Sequence, residues 1–224
     1  MGYQFEFGWI WVYLPLLFSG VAVTLQLILV GAVLGIALGI ACAWARALGP
    51  RWLRPFVAAY VELIRNTPFL IQLFFIFFGL PSLGLQLTEM QAANLAMVIN
   101  LGAYGCEIVR AGIQATPRGQ FEAGASLAMT QMETFRHVVL VPALARIWPA
   151  LSSQVVIVML GSAVVSQIGA EDLTYAASFI QSRNFRAFET YMVSTLIYLC
   201  LAILVRKAMS VLGGLIFPNT AGAR

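Results

Sequence analysis

Long stretches without a charged residue alternate with short polar segments along this chain. Such stretches cover residues 10–45, 66–88, 147–170 and 190–205, and another runs from residue 90 to 106 and continues as an apolar pattern to about residue 113. A helix needs about 20 apolar residues to cross the hydrocarbon core of a bilayer. The pattern therefore predicts an all-α integral membrane protein with five transmembrane helices. Pro68 and Pro81 predict kinked or capped ends for the second helix.

The positions of Lys and Arg predict the orientation of these helices, because basic residues are concentrated in cytoplasmic loops. An external N-terminus and a cytoplasmic C-terminus leave only Arg183 and Arg186 outside. The other basic residues then face the cytoplasm: Arg46, Arg51, Arg54, Arg65, Arg110, Arg118, Arg136, Arg146, Arg206, Lys207 and Arg224. The opposite orientation puts nearly all of the positive charge on the wrong side.

Composition supports a bilayer environment. Of the 224 residues, 61% are hydrophobic and 10% are charged, whereas soluble domains carry about 25% charged residues. The net charge of +4 is modest and the basic residues form no cluster, so membrane lipid is the expected surrounding and nucleic acid is not an expected partner. Cys42, Cys106 and Cys200 are far apart, and His137 is the only histidine. No metal site and no catalytic residues are expected from this pattern.

Glycine recurs regularly in the first predicted span. Gly31, Gly35 and Gly39 lie four residues apart and therefore along one helix face. Small residues at this spacing let two helices approach closely, although glycine is also frequent in membrane helices in general. We expect these glycines to pack against another helix. No linker or repeat is visible, so residues 1–224 are predicted to form a single transmembrane domain.

The segment at residues 116–137 lies between the third and fourth predicted spans, on the cytoplasmic side. Five positions approximate the apolar face of a helix: Phe121, Ala125, Leu127 or Ala128, Met132 and Phe135. A proline at position 117 is typical of a helix start. A helix that rests on lipid is usually rich in Lys and Arg. This segment has mixed charge and small residues instead, which favours docking into a groove of a partner protein.

Four segments carry a resemblance to a known family. Residues 121–130 read FEAGASLAMT, are followed by TFRHVVL at 134–140, and resemble the EAA loop of binding-protein-dependent ABC importer permeases. Three others resemble the polar amino-acid permeases of the histidine and glutamate type: SGVAVTL at 19–25, RNTPFLIQLF at 65–74 and AYGCEIVRAGI at 103–113. The segments occur in the family's order over nearly the whole chain.

The EAA loop departs from the family pattern in its small residues. Gly124 replaces the second Ala, and Ala128 replaces the Gly. Both residues are small, so close packing into a groove remains possible. The proline usual just after Leu140 is displaced to Pro142.

The resemblance implies the permease subunit of a type I ABC importer that moves a polar amino acid across the bacterial inner membrane as a multi-pass protein. It implies three partners: a dimer of nucleotide-binding ATPase subunits that binds ATP and Mg, a second permease subunit, identical or related, and a periplasmic or lipid-anchored solute-binding protein. The chain itself has no phosphate loop of the form G-x-x-x-x-G-K-[ST], so it is not expected to be an enzyme or to hold a cofactor. By resemblance, a coupling segment at about 116–137 contacts the ATPase. Its expected coupling residues are Arg118, Glu122, Ala123, Gly124 and Ala128.

Two pairs of opposite charge stand one helical turn apart near the ends of predicted spans. They are Glu62 with Arg65 and Glu107 with Arg110. Pairing at this spacing lowers the cost of placing both charges near hydrocarbon. We expect structural or gating ion pairs here rather than substrate ligands.

Polar residues within the spans indicate a solute path. The candidates are Thr67, Ser153, Gln154, Gly161 and Ser162, and Gln154 and Ser162 are expected on one face because they lie about two turns apart. In the resembling permeases, acids thought to contact the bound amino acid correspond to Gln154 and Gly161. Their absence predicts an acidic or neutral solute, or a second permease that carries the acids. Hydrogen bonding between helices is the alternative role for these groups.

Two other classes of function compete with this interpretation. A secondary transporter or channel for a small polar solute is expected to carry internal repeats or membrane-embedded acids. A membrane enzyme is expected to carry clustered His, Cys or acidic residues. The predicted spans lack mid-span acids and such clusters, and neither class explains the cytoplasmic segment.

Overall fold

Helices make up most of the structure. The computed structural model describes residues 4–218, and no β-strand occurs among them. The helices are α1 Trp9–Ala47, α2 Leu53–Arg65, α3 Phe69–Leu83, α4 Glu89–Gln114, α5 Arg118–Ser126, α6 Gln131–Ile168, α7 Leu173–Asn184 and α8 Ala187–Ile216. Four of them, α1, α4, α6 and α8, are long and apolar enough to cross a membrane. The predicted all-α membrane fold is confirmed. Residues 1–3 and 219–224 of the predicted domain, with Arg224, lie outside the described residues.

The most extensive helix contact joins α1 to α4. Gly31, Gly35 and Gly39 are buried on the side of α1 that faces α4. A Cβ atom on Gly35 would lie 2.9 Å from the Cβ of Leu101, and one on Gly39 would lie 3.0 Å from the backbone nitrogen of Cys106. The contacts advance in the same direction along both helices, so α1 and α4 run parallel with their backbones close together.

The parallel arrangement requires the chain to cross the membrane between α1 and α4, and α2 with α3 makes this crossing. The two helices meet at 112°, where Pro68 has an extended backbone with ψ 140°. Beyond Phe74, α3 continues as a π-helical segment and then as a 3₁₀ segment that ends at Leu83. The second predicted span is thus present as one arm of a bent pair, and it begins at Phe69 rather than Asn66.

The first arm of that pair, α2, is not predicted by the pattern of charge-free stretches. It carries Arg54, Glu62 and Arg65 among apolar residues, with Val61 buried and Phe56 exposed. A helix with one buried apolar position and charges elsewhere lies along a surface. A search for uninterrupted apolar runs misses this helix, because its charged residues interrupt the run.

Helix α6 extends far beyond the predicted fourth span at 147–170. It begins at Gln131, contains a π-helical segment over Thr134–Val139, and ends in a 3₁₀ segment over Ser162–Ile168. The single cytoplasmic helix expected across residues 116–137 is therefore corrected. Its first half is α5, and its second half is the beginning of α6.

The helix contacts define two ends of the molecule. Gly20 packs against the start of α7 at one end, and Gly112 packs against Ile147 at the other. Every described basic residue except Arg183 and Arg186 lies at the end that contains Gly112, the predicted cytoplasmic end. The separation of charge agrees with the predicted N-out orientation.

Helix α7 occupies the external connection between α6 and α8, where the charge pattern predicts no helix. Its buried residues, Leu173, Ala176, Ala177 and Ile180, recur every three or four positions. This spacing is the signature of an amphipathic helix. The segment is too short and too polar to be detected as a span.

We predict that Gly39→Ala weakens the α1–α4 contact, because the new methyl group meets the backbone of Gly105 and Cys106. Backbone atoms cannot rotate away, so the loss of unfolding free energy should be about 1–3 kcal/mol. Thermal unfolding of the purified protein in detergent measures the change. Gly214→Ala is the matched control, since nothing lies within 4 Å of its added Cβ. Equal melting temperatures for the two variants would contradict the close approach.

Candidate functional site

Helix α5 is attached to α6 along one face at the cytoplasmic end. A Cβ atom on Gly124 would lie 2.6 Å from Oγ1 of Thr134, so only glycine allows the two helices to approach this closely. Phe121 packs against the cluster that contains Phe135 and Val139. The motif position at Gly124 is therefore an internal packing position that holds α5 against the start of α6.

The opposite side of α5 is open. Arg118, Glu122 and Ala123 are exposed, and the nearby side chains of Leu127 and Met132 are 74% and 49% exposed. We call Glu122, Ala123, Leu127 and Met132 the coupling surface. The predicted apolar face is thus divided, because Phe121 and Phe135 face inward while Leu127 and Met132 face outward. Exposed apolar residues beside charges, on a helix outside the apolar spans, are typical of a protein-binding surface.

Ala128 ends α5 in a conformation that normally requires glycine. Its φ is +52°, in the left-handed region. The N–H of Met129 donates to the carbonyl of Gly124 at 3.0 Å, and the N–H of Ala128 donates to the carbonyl of Ala125 at 3.0 Å. This is the pattern of a Schellman C-cap. Small size alone does not explain the family's preference for glycine here, since the backbone angle also favours it.

Thr130 starts the next helix immediately. Its Oγ1 accepts from the N–H of Glu133 at 3.3 Å, and Glu133 Oε2 accepts from the N–H of Thr130 at 2.7 Å. This capping box ends the connection between α5 and α6 after four residues. The short connection fixes the position of the coupling surface on α6.

One face of α6 has no partner among the described residues. Ser153, Ile157 and Leu160 are exposed, and Gln154 and Gly161 are half-buried at its edge. A Cβ atom on Gly161 would meet nothing within 4 Å. We call these five residues the open face of α6. Three of the predicted path residues, Ser153, Gln154 and Gly161, therefore lie together.

Ser162 does not belong to this face. It is buried, and its Oγ donates to the carbonyl of Met159 at 2.7 Å. Positions eight apart on an α-helix differ by about 80°, and the 3₁₀ segment that begins at Ser162 changes the direction further. The expectation that Ser162 shares a face with Gln154 is wrong.

Thr67 lies in the bend between α2 and α3. Its Oγ1 donates to the carbonyl of Leu63 at 2.8 Å and accepts from Nε2 of Gln72 at 3.0 Å. The same amide of Gln72 donates to the carbonyl of Ile64 at 2.7 Å, and its Oε1 accepts from Nδ2 of Asn100 on α4 at 3.0 Å. The hydroxyl of Thr67 thus stabilises the bend. Gln72 and Asn100 are buried polar residues that the sequence did not single out.

Glu107 joins α1 to α4. Its Oε2 lies 2.7 Å from Nη2 of Arg110, as expected from the spacing, and its Oε1 pairs with Arg46 of α1. Arg46 is distant in sequence, so spacing could not identify it. The resulting three-residue cluster reinforces the parallel helix contact at its cytoplasmic end.

The predicted pair between Glu62 and Arg65 does not form. Glu62 Oε2 accepts from Nδ2 of Asn66 at 3.1 Å, and the guanidinium of Arg65 lies 5.5 Å from the ring centroid of Tyr104. The bend after Arg65 directs this side chain towards α4. A cation–π contact replaces the expected ion pair.

A buried carboxylate lies at the external end, in the connection between α6 and α7. Asp172 is fully buried; its Oδ1 accepts from the N–H of Tyr175 at 2.8 Å, and its Oδ2 accepts from the hydroxyl of Tyr198 at 3.1 Å. Burial raises the pKa of Asp172 to about 6. Thr24 of α1 accepts from the N–H of Leu173 at 3.2 Å. The sequence could have indicated this site, because Asp172 directly precedes an amphipathic helical pattern, as is typical of an N-cap residue.

Within residues 4–218, no group of three or more His, Cys, Asp or Glu residues is placed to hold a metal ion. The arrangement therefore offers an outward-facing coupling surface, an open helix face and a bent helix pair.

Comparison with known proteins gives consistent matches. Residues 35–219 match the family described as binding-protein-dependent transport system inner membrane component. The glutamine transport system permease protein GlnP of Escherichia coli (strain K12) is 34% identical over 205 residues, which cover 90% of this chain and 93% of that protein. The L-cystine transport system permease protein TcyB of Bacillus subtilis (strain 168) is 36% identical over 170 residues, covering 76% and 73%.

Solved structures agree. A crystal structure of an amino acid ABC transporter with histidines has a TM-score of 0.83 and 36% identity, covering 94% of this chain and 99% of that one. The methionine ABC transporter MetNI, in an inward-facing conformation, has a TM-score of 0.77 and 21% identity over 95% and 99% of the two chains. The second match supports the fold alone.

We predict that Ala128→Gly stabilises the protein, because glycine adopts the left-handed conformation without the steric cost of a Cβ atom. The gain in unfolding free energy should be up to about 1 kcal/mol. Thermal unfolding measures it. Ala125→Gly is the matched control, since the same change inside α5 should lower stability by about 1 kcal/mol. A melting temperature that falls equally in both variants would show that Ala128 is not strained.

Asp172 predicts a pH dependence of stability. Its folded pKa of about 6 exceeds the value of about 3.9 for an unfolded chain. The folded state therefore binds more protons between these values, and stability should fall as pH rises from 4 to 6. In Asp172→Asn this decline should be smaller by up to about 3 kcal/mol, measured as melting temperature against pH.

The control for Asp172 is Glu171→Gln, which removes an exposed neighbouring carboxylate and should leave the wild-type decline in place. A pH profile of Asp172→Asn that follows the wild type throughout would contradict the predicted ionisation.

Proposed function

This chain belongs to the family of binding-protein-dependent transport system inner membrane components and is the permease of an amino-acid ABC importer, and we propose how its parts carry out that transport. The proposal rests mainly on one observation: the coupling surface is fixed to the same helix, α6, that carries the open face. A displacement at one end of α6 is therefore transmitted to the other.

The coupling surface receives the ATP-driven movement from a partner. We infer that a dimer of ATPase subunits binds ATP and Mg and accepts α5 in a groove, with Glu122 and Arg118 making polar contacts at its edge. The tight contact between Gly124 and Thr134 means that α5 cannot slide independently of α6. Closure of the ATPase dimer then tilts α6. The solute path closes on one side of the membrane and opens on the other.

The open face of α6 is the proposed wall of the solute path. A second permease subunit, identical or related, covers it, and the two chains together enclose the solute. A solute-binding protein delivers the amino acid at the external end, in the bacterial inner membrane. The fixed bend at Thr67 and Gln72 supplies a rigid boundary against which α6 moves.

The proposed solute is a neutral or acidic polar amino acid. The open face presents the amide of Gln154 and hydroxyl and backbone groups, but no carboxylate, among its five residues. A buried cationic side chain needs a charge partner, and its absence costs several kcal/mol. Relatives named for glutamine and cystine transport agree with this class.

We predict that Glu122→Lys uncouples the importer. The substitution places a positive charge where the partner accommodates a carboxylate, and like charges at an interface are strongly unfavourable. Amino-acid uptake by the complete complex in proteoliposomes should fall at least about tenfold, a loss of roughly 1.4 kcal/mol or more in coupling. Insertion and melting temperature should not change, because Glu122 is exposed.

Glu171→Lys is the matched control for Glu122→Lys, with the same charge change on an exposed residue at the external end. Wild-type uptake by the Glu122→Lys complex at equal expression would refute the coupling role.

We predict that neutral and acidic amino acids compete for uptake while arginine and lysine do not. Gln154→Glu should shift this preference at least about tenfold towards cationic solutes, because it supplies the missing charge partner. Competition against labelled glutamine in the complete native complex measures the preference. Gln167→Glu, on an exposed position of the same helix, is the matched control.

The solute assignment fails if arginine or lysine is the best competitor in the wild type and the partner permease has no acids at the corresponding positions. If the wild type prefers neutral and acidic amino acids but Gln154→Glu does not shift this preference, Gln154 does not line the solute path.

A further inference from the structure

A basic cavity lies at the cytoplasmic end, beside the coupling surface but separate from it. Its volume is about 360 Å³, and it is an open pocket lined by the last turns of α1 and α4 and the first turns of α5. Arg46, Arg110 and Arg118 contribute three guanidinium groups to its wall. Arg118 is also a proposed contact at the edge of the ATPase groove, but none of the other lining residues belongs to the solute path or to the coupling surface.

The positive charge in the cavity is only partly neutralised. Arg46 and Arg110 share the single carboxylate of Glu107. Arg118 has no ion pair with any of the described residues. Arg146 does not line the cavity, but it donates to the carbonyl of Ala115, which lies between the lining residues Gln114 and Thr116 in the chain. The cavity therefore has a net positive charge and suits an anion with several oxygen acceptors.

The rest of the wall is partly apolar. Ala47, Leu48, Ile113 and Phe121 line the cavity together with the arginines and with two polar residues, Gln114 and Thr116. Arg46 and Arg110 also belong to helices that cross the membrane, and their side chains are only 19% and 29% exposed. A free inorganic anion gains nothing from apolar walls, whereas a lipid presents a phosphate and hydrocarbon side by side. Basic pockets between membrane helices at the cytoplasmic surface bind anionic head groups.

We propose that this cavity binds the phosphate head group of an anionic phospholipid from the cytoplasmic leaflet, held by Arg46, Arg110 and Arg118. The proposal rests on the orientation of the proposed importer. Ala123 and Leu127 of the coupling surface do not line the cavity. A bound lipid therefore fixes the first turn of α5 against α1 and α4 without covering that surface.

Lipid retention by the purified permease–ATPase complex tests the proposal. The complex is delipidated in detergent, incubated with phosphatidylglycerol or with phosphatidylethanolamine of the same acyl chains, and analysed by native mass spectrometry. The wild type should retain phosphatidylglycerol preferentially. Arg118→Gln should weaken that retention about fivefold, the effect of one basic residue at an anionic surface.

Arg206→Gln is the matched control, because it removes one exposed cytoplasmic arginine from α8, away from the cavity, and should retain lipid like the wild type. Arg110→Gln is a second test variant that leaves Glu107 paired with Arg46. It should weaken retention by a similar factor. Comparison of Arg118→Gln and Arg110→Gln with Arg206→Gln separates the loss of a cavity arginine from a general loss of positive charge.

Four results would overturn the proposal. Equal retention of the two lipids, or an equal loss in Arg206→Gln, would show that the cavity does not select the head group. Inorganic phosphate that binds with the predicted variant pattern, while lipid retention stays constant, would assign the site to a free anion. Loss of the ATPase subunit from Arg118→Gln with unchanged lipid in both variants would assign the cavity to the protein partner. Lipid retention is measured without ATP or solute, so its failure leaves the transport proposal intact and the converse also holds.

Discussion

The close parallel contact between α1 and α4 determines the rest of this structure. Helices in a bilayer gain little from burying apolar surface against each other, so they depend on close packing of small residues. Gly35 and Gly39 provide this approach, and the Glu107 cluster adds charge pairing at the cytoplasmic end. Two parallel neighbours cannot be connected by a short loop. The chain must return across the membrane, and it does so through a sharply bent pair of helices.

That bend is stable because its polar groups are satisfied internally. A change of direction exposes backbone carbonyls that have no water to bind within a bilayer. The side-chain amide of Gln72 donates to the carbonyls of Ile64 and Thr67, and Asn100 ties it to α4. The helices α1 and α4 and the bend thus form one packed unit. Beside this unit, α6 with its attached α5 is a single long element that carries the coupling surface at its cytoplasmic end and the open face further along.

Charge is distributed unequally between the two ends of the molecule. At the external end, Arg186 is held by Glu6 and by the buried Glu189, and Asp172 is enclosed by hydrogen bonds that cap α7. At the cytoplasmic end the arginines outnumber their acidic partners, which leaves a positive surface around α5. Among the described residues, acids outnumber bases at the external end, where two carboxylates share Arg186, while the cytoplasmic end has an excess of positive charge.

The sequence by itself determined the fold class, the number of crossings, the orientation and the family, because uninterrupted apolar runs, arginine placement and collinear motifs are local properties. It also placed Gly31, Gly35 and Gly39 on one face and Glu107 beside Arg110. Only the tertiary structure decided which helices meet. It joined Arg46 to Glu107, turned Arg65 towards Tyr104 and away from Glu62, separated Ser162 from Gln154, and gave Ala128 a left-handed backbone. These features depend on the bend, on the 3₁₀ end of α6 and on contacts between residues far apart in the chain, and helical spacing carries no information about such contacts.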